Sequence, residues 1–179
     1  MFNRIVIAAR FKSLIVMIWL MATAFRIGYT DGNEYSIKAM FLLNFMKYVE
    51  WPAENNQGTF RIGVVGDSEI SESLLQMIAQ KQGDSRRIEV VKLGSGNQLY
   101  CQMVFVSHTE NSRVDEWIKK LGAKGVLIVT EDLKLNTGSA AINLITVDNK
   151  IRFEINQSAL RVSNLKVSSR LTELAINVR

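Results

Sequence analysis

FRIGVVGDSEISESLLQMIAQK, running from Phe60 to Lys81, decides the fold class. Phe60 to Val65 is a short apolar run, Gly66-Asp67-Ser68 is a polar break, and Leu74, Leu75, Ile78 and Ala79 then recur at helical spacing through Lys81. The order is strand, loop, helix. Repeated along a chain, that order makes a parallel sheet covered by crossover helices.

Downstream the unit does repeat. Arg87 to Leu93 reads as a second strand, Gly94-Ser95-Gly96-Asn97 as a turn, and Cys101 to Val106 as a third strand, apolar on both faces as covered parallel sheets require. Arg113 to Leu121 is an amphipathic helix, and Gly122 to Gly125 leads into a fourth strand, Val126 to Val129. The alternation predicts right-handed crossovers. The pattern then changes. Ala140 to Val147 and Ile151 to Ile155 are strands joined by Asp148-Asn149-Lys150, a turn suited to an antiparallel hairpin. Ser168 to Val178 places Leu171, Leu174, Ala175 and Val178 on one helical face and reads as a closing helix. The expectation is one α/β domain: a mixed, mainly parallel sheet flanked by helices in a three-layer, Rossmann-like arrangement, with an antiparallel hairpin near the carboxyl end.

Upstream, Tyr35 to Val49 reads as a helix stopped by Trp51-Pro52, since proline disfavours helical geometry in the residue before it. Ser36, Asn44, Lys47 and Glu50 form a narrow polar arc on an otherwise apolar helix, so most of its surface must be covered. Met40 and Leu43 fall inside that arc and are expected to be exposed. With Lys47 they mark a candidate interface for a homodimer mate or a protein partner, beside the helix's role in the core. Lys38 and Lys47 bracket too few apolar residues for a membrane span.

The amino terminus has the form of an export signal. Arg4, Arg10 and Lys12 precede an uncharged run from Ser13 to Phe25, and Ala22-Thr23-Ala24 is a small-x-small cleavage pattern. Cleavage after Ala24 would remove residues 1–24 and leave residues 25–179 as one domain; the same run also reads as an uncleaved anchor. Taking away 24 of 179 residues leaves 155, enough for a core without staples, and losing three basic residues lowers the formal charge from +5 to +2. No electrostatic footprint for nucleic acid remains.

The chemistry-bearing residues are few. His108 is the one histidine and no His/Cys/Asp/Glu cluster stands at metal-ligand spacing, so a zinc or triad enzyme lacks its parts; Cys101, the one cysteine, can make no intrachain disulfide. Ser107 beside His108 lacks the third group that would orient a base, and Cys101 opens a doubly apolar strand and reads as buried packing. Gly94-Ser95-Gly96 opens no helix of the phosphate-binding kind and Asn156-Gln157-Ser158 is a chance acceptor pattern, while Trp51 and Trp117 read as packing residues. No cofactor and no catalysis are expected. One constellation stands out: Asp67 and Ser68, Ser107 and His108, and Glu131 and Asp132 each follow a predicted parallel strand, so they should gather at the carboxyl edge of the sheet, where open α/β folds bind ligands. Asp67, Ser68, Ser107 and Asp132 are the candidate crevice residues; helix caps and loop polar groups are the plainer reading of the same positions.

Several blocks together resemble one family. KAMFLLNFMKYVEWP (Lys38 to Pro52), FRIGVVGDS (Phe60 to Ser68), CQMVFVS (Cys101 to Ser107), GVLIVTED (Gly125 to Asp132) and IRFEINQSALRVSNLKVSSRLTELA (Ile151 to Ala175) are similar, in order, to the YfiR-like periplasmic regulators. The near-continuous apolar helix ending in Glu-Trp-Pro and the Phe-x-Ile-Asn strand followed by Ser-Ser-x-Leu are the most specific. The resemblance implies a periplasmic protein that docks on an inner-membrane signalling enzyme, a diguanylate cyclase or a sensor kinase, and in the first case lowers cyclic di-GMP by repression. Gly138-Ser139 stands where a Gly-Gly pair is common, and Asn164 where glycine often precedes Leu-x-x-Ser-Ser. Asparagine tolerates left-handed backbone, so that turn can survive. Relatives carry disulfides that Cys101 alone cannot make, so the resemblance does not extend to a redox switch. The competing reading is a small-molecule sensor module acting on a membrane receptor. A large apolar surface without a pocket favours docking alone, and an enclosed polar pocket at the strand edge favours ligand sensing.

Overall fold

In the computed structural model, which describes residues 31–80, 86–94, 100–121, 125–133 and 140–179, the chain follows the alternation that its apolar spacing requires. Helix α1 (Asp31–Tyr48) comes first, then β1 (Val49–Glu50), β2 (Phe60–Val65), α2 (Ile70–Gln80), β3 (Ile88–Leu93), β4 (Met103–Val106), α3 (Val114–Leu121) and β5 (Leu127–Glu131). The hairpin β6 (Ile142–Val147) and β7 (Lys150–Ile155) follows, then α4 (Gln157–Val162), β8 (Lys166–Val167), α5 (Ser169–Leu174) and β9 (Asn177–Val178). The described strands form a seven-stranded sheet in the order β3-β2-β4-β5-β6-β7-β9, and β1 pairs separately with β8. From β3 through β6 every pairing is parallel; β6 and β7 are antiparallel.

Alternation along the central strands divides the core. Ile62, Met103, Phe105, Leu127 and Val129 face one side with Leu42 and Phe45 of α1, while Val65, Val104, Val106 and Ile128 face the other with Val114 and Trp117 of α3. The three layers therefore follow from a period of two in strands apolar at both phases. Phe153 of β7 sits edge-on to both Phe41 and Phe45, at 5.6 and 5.3 Å between centroids. The hairpin turns on Asp148 and Asn149, whose φ angles of 48° and 57° are the left-handed pair of a two-residue turn that matches strand twist. Asn164, at φ 53°, holds the left-handed position expected of it.

Three expectations change. Leu43 is buried, at 3% exposure, whereas Met40 is 48% exposed. Met40 and Lys47 lie about 20° apart around α1, and Leu43 stands about 60° away from Met40, far enough to meet the core. The closing helix stops at Leu174. Ser168 caps it by accepting from the Leu171 amide, Ala175 turns extended, and Asn177–Val178 becomes β9, covering the edge of β7 in parallel. Leu171, Leu174, Ala175 and Val178 fit a helix-then-strand as well as a longer helix, and an uncovered β7 edge decides between them. Helix α4, capped by the Asn156 side chain on the Ala159 amide, and β8 lie where no element was expected, and β8's partner β1 takes Val49, the expected last residue of the first helix. Residues 1–24, most of the Gly94–Asn97 turn, and Gly138-Ser139 lie outside the described residues.

Candidate functional site

The sheet order contains a reversal. From β2 the chain crosses through α2 outward to β3, and it then returns to the other side of β2, so that β4, β5 and β6 grow the opposite way. The loops after β2 and β4 therefore part at the carboxyl edge, which is where open α/β sheets form a crevice. A cleft of about 830 Å³ lies there, bounded by Glu34, Tyr35 and Lys38 of α1, the loop from Asp67 to Glu69, α2, Val90 and Lys92 of β3, His108 and Thr109 after β4, and Asp132 after β5.

The two loops are tied together beneath it. Gly66 has φ 87°, and a Cβ there would stand 2.7 Å from Thr109 Oγ1 and 2.8 Å from Glu110 Cγ, so only glycine allows the approach. The Asp67 amide donates to Thr109 Oγ1 at 3.3 Å, and Ser107 Oγ donates to the Asp67 carbonyl at 2.9 Å. Of the four candidate crevice residues, Asp67, Ser68 and Asp132 line the cleft. Ser107 does not. It is fully buried below the floor, because its hydroxyl serves as the tie between loops and caps the 3-10 turn His108–Arg113. Ser68 Oγ accepts from the Ile70 amide at 3.3 Å, so it also caps the start of α2.

Under the cleft lies a buried ionic network. Glu131, at the end of β5, is fully buried; its Oε2 takes Lys38 Nζ at 2.6 Å, and its Oε1 takes both the backbone amide and Nδ1 of His108 at 2.9 Å. Lys38, 2% exposed, also reaches Glu34 one helical turn earlier at 2.6 Å. Burial pushes the Glu131 carboxyl up, but Lys38 and the His108 N–H groups outweigh it and hold it below its ordinary value. Burial likewise works against a charged Lys38, and its hydrogen bonds to Glu131 and Glu34 prevail and raise it. The pair is ionised across the neutral range. Burial, and then the Glu131 charge, raise the Tyr35 phenol beside them. The His108 side chain is 53% exposed at the rim.

Lys38 is the residue that sequence reasoning passed over, noting it only as a charge beside an apolar stretch. The signal was present: a lone lysine on the apolar side of a buried helix has to find a carboxylate, and strand ends carried the candidates. Elsewhere, Cys101 is buried and its thiol is pushed up to about 11, chiefly by burial. Trp51 and Trp117 are also buried, at 8% and 6% exposure. Among the described residues no group of three or more His, Cys, Asp or Glu side chains could hold a metal, and no helix is long and apolar enough to cross a membrane.

Residues 35–176 match the YfiR/HmsC-like family. The chain belongs to that family. No match is found among curated proteins. The family match spans the sheet from β2 through β7, the hairpin included, and every cleft residue named above except Glu34, which lies one residue before it; β9 lies just beyond its end. Membership of the YfiR/HmsC-like family is consistent with a periplasmic regulator of cyclic di-GMP signalling.

Proposed function

We propose that this YfiR/HmsC-like chain is exported through its basic-then-apolar amino terminus and docks in the periplasm on the extracytoplasmic part of an inner-membrane signalling enzyme, which it represses. A diguanylate cyclase is the leading partner class, with a sensor kinase the other. The family match over residues 35–176 carries this reading. The chemistry of the site agrees with it: Glu131 holds His108 Nδ1 as a carboxylate holds a base, the third group that the sequence alone did not offer, but the Ser107 hydroxyl is fully buried and spent on the Asp67 carbonyl, so it is not presented to that base as a nucleophile.

A second reading is favoured by one observation, the polar cleft at the reversal of strand order. There the chain would read a small molecule and alter its docking accordingly. Exposed Met40 and Lys47 on α1 suit a dimer mate or the partner itself.

The test is light scattering of the purified chain mixed with the extracytoplasmic domain of the membrane cyclase or kinase encoded beside it. The expected result is a defined complex at micromolar concentration. Two species that elute unchanged with either class of partner overturn the docking reading.

A further inference from the structure

The cleft carries a charge opposite to that of the chain. The formal net charge is +5 for the whole chain and +2 without residues 1–24, yet among the described residues the cleft is lined by Glu34, Asp67, Glu69, Glu72 and Asp132 against Lys38 and Lys92. Lys38 is buried and already shared between Glu34 and Glu131. Lys92 stands 4.0 Å from Asp67, both side chains being largely exposed, a pairing that contributes little. Glu69, Glu72 and Asp132 are exposed and have no ion-pair partner among the described residues. On the same wall Leu75 is 55% exposed.

The geometry points to this cleft as a docking groove for a basic segment of the protein partner: a Lys- or Arg-bearing stretch with an apolar side chain that lies on Leu75. The inference rests on the docking reading above and locates it. Pockets for small organic ligands are mostly apolar and enclose their occupant. This one is an open groove in which, among the described residues, Leu75 and Val90 are the aliphatic side chains of the lining. A concentrated negative groove on a positively charged molecule does what charge complementarity does at interfaces: it steers encounter, fixes register and rejects acidic partners.

The experiment uses the full chain and a fluorescent peptide of alternating leucine and lysine, its leucine-glutamate counterpart, and spermine as a small polyamine. The variant is Glu69→Gln/Glu72→Gln/Asp132→Asn, at exposed positions, with asparagine able to keep the left-handed backbone of Asp132 at φ 50°. The basic peptide is expected to bind wild type, to weaken as salt rises, and to bind the variant roughly tenfold less tightly, the sum of three rim charges. The acidic peptide is expected not to bind. Equal affinity of both proteins for the basic peptide, or no binding to either, overturns the proposal, as does variant-sensitive binding of spermine without the peptide.

The same variant is then mixed with the partner's extracytoplasmic domain. If wild type forms the complex and the variant forms it equally well, the groove is wrong and docking stands. If wild type forms no complex, docking is wrong, and the peptide measurement still decides whether the groove takes a basic segment.

Discussion

The two ends of the parallel sheet are built from different chemistry. At the amino end, Gln102 closes the strands with neutral hydrogen bonds: Oε1 accepts from the Arg61 amide at 2.8 Å, and Nε2 donates to the carbonyls of Asn55 and Thr59 at 3.2 and 3.4 Å. The Gln102 carbonyl accepts from Trp51 Nε1 and from the Leu127 amide. At the carboxyl end two of the buried groups are ions, Lys38 and Glu131, beside the neutral Ser107, and above them lies an open cleft with exposed carboxylates. An amide that matches backbone groups seals an end and responds to little. A buried ion pair holds an end only while both partners are present and charged.

That contrast is open to breaking, most severely at Lys38. Lys38→Met leaves Glu131 buried without its cation and is expected to cost about 3–5 kcal/mol in denaturant unfolding. Lys38→Met combined with Glu131→Leu should recover much of that loss. An unchanged midpoint in the single variant would mean that the pair stabilises nothing.

Acid separates the ends further. A carboxyl held below its ordinary 4.5 contributes stability that is fully present above that value and lost as pH falls through its lower folded value. A lysine raised from 10.5 contributes below that value and loses its share as pH rises through the higher folded one. Thermal unfolding across pH should therefore show the network intact at neutrality and weakened in acid, with a shallower acid loss in Glu131→Gln.

Gln102→Leu is the next largest change. It strands an amide and two carbonyls that water can partly reach, for a cost of about 2 kcal/mol by denaturant unfolding. Since no titrating group is lost, the wild-type dependence on acid should persist. A variant whose acid profile flattens would link the two ends and undo the contrast.

How much of this was legible without coordinates follows from what each feature depends on. The strands Phe60–Val65 and Ile88–Leu93 and the turn at Asp148-Asn149 rest on local periodicity and turn chemistry, and they lie where the sequence predicts them to within a residue. The gathering of Asp67, Ser68 and Asp132 was also legible, because residues that follow parallel strands share an edge whatever the crossovers do. Ser107 shares that edge, yet its exposure depends on how closely Gly66 brings two loops together, a contact between segments distant in sequence. Lys38 needed the register of α1 on the sheet. Leu43 needed the width of the covered face, and β9 needed the knowledge that β7 had an open edge.

The smallest effect is expected on the outer face of α1. Met40→Glu should change stability by less than about 0.5 kcal/mol, as surface substitutions do, whereas Leu43→Glu places a charge in the core and should cost several kcal/mol. Thermal melts of the two variants side by side check the assignment, and equal losses would mean that α1 is covered on both positions. With Met40→Glu folded, light scattering then shows whether that face carries self-association.

The central claim is that the chain restrains a membrane signalling enzyme, and the most direct measurement is the cyclic di-GMP level in cells from which the chain has been removed and then restored. The level should rise on removal and fall back when the wild-type chain returns. A level that stays constant through both steps contradicts the account.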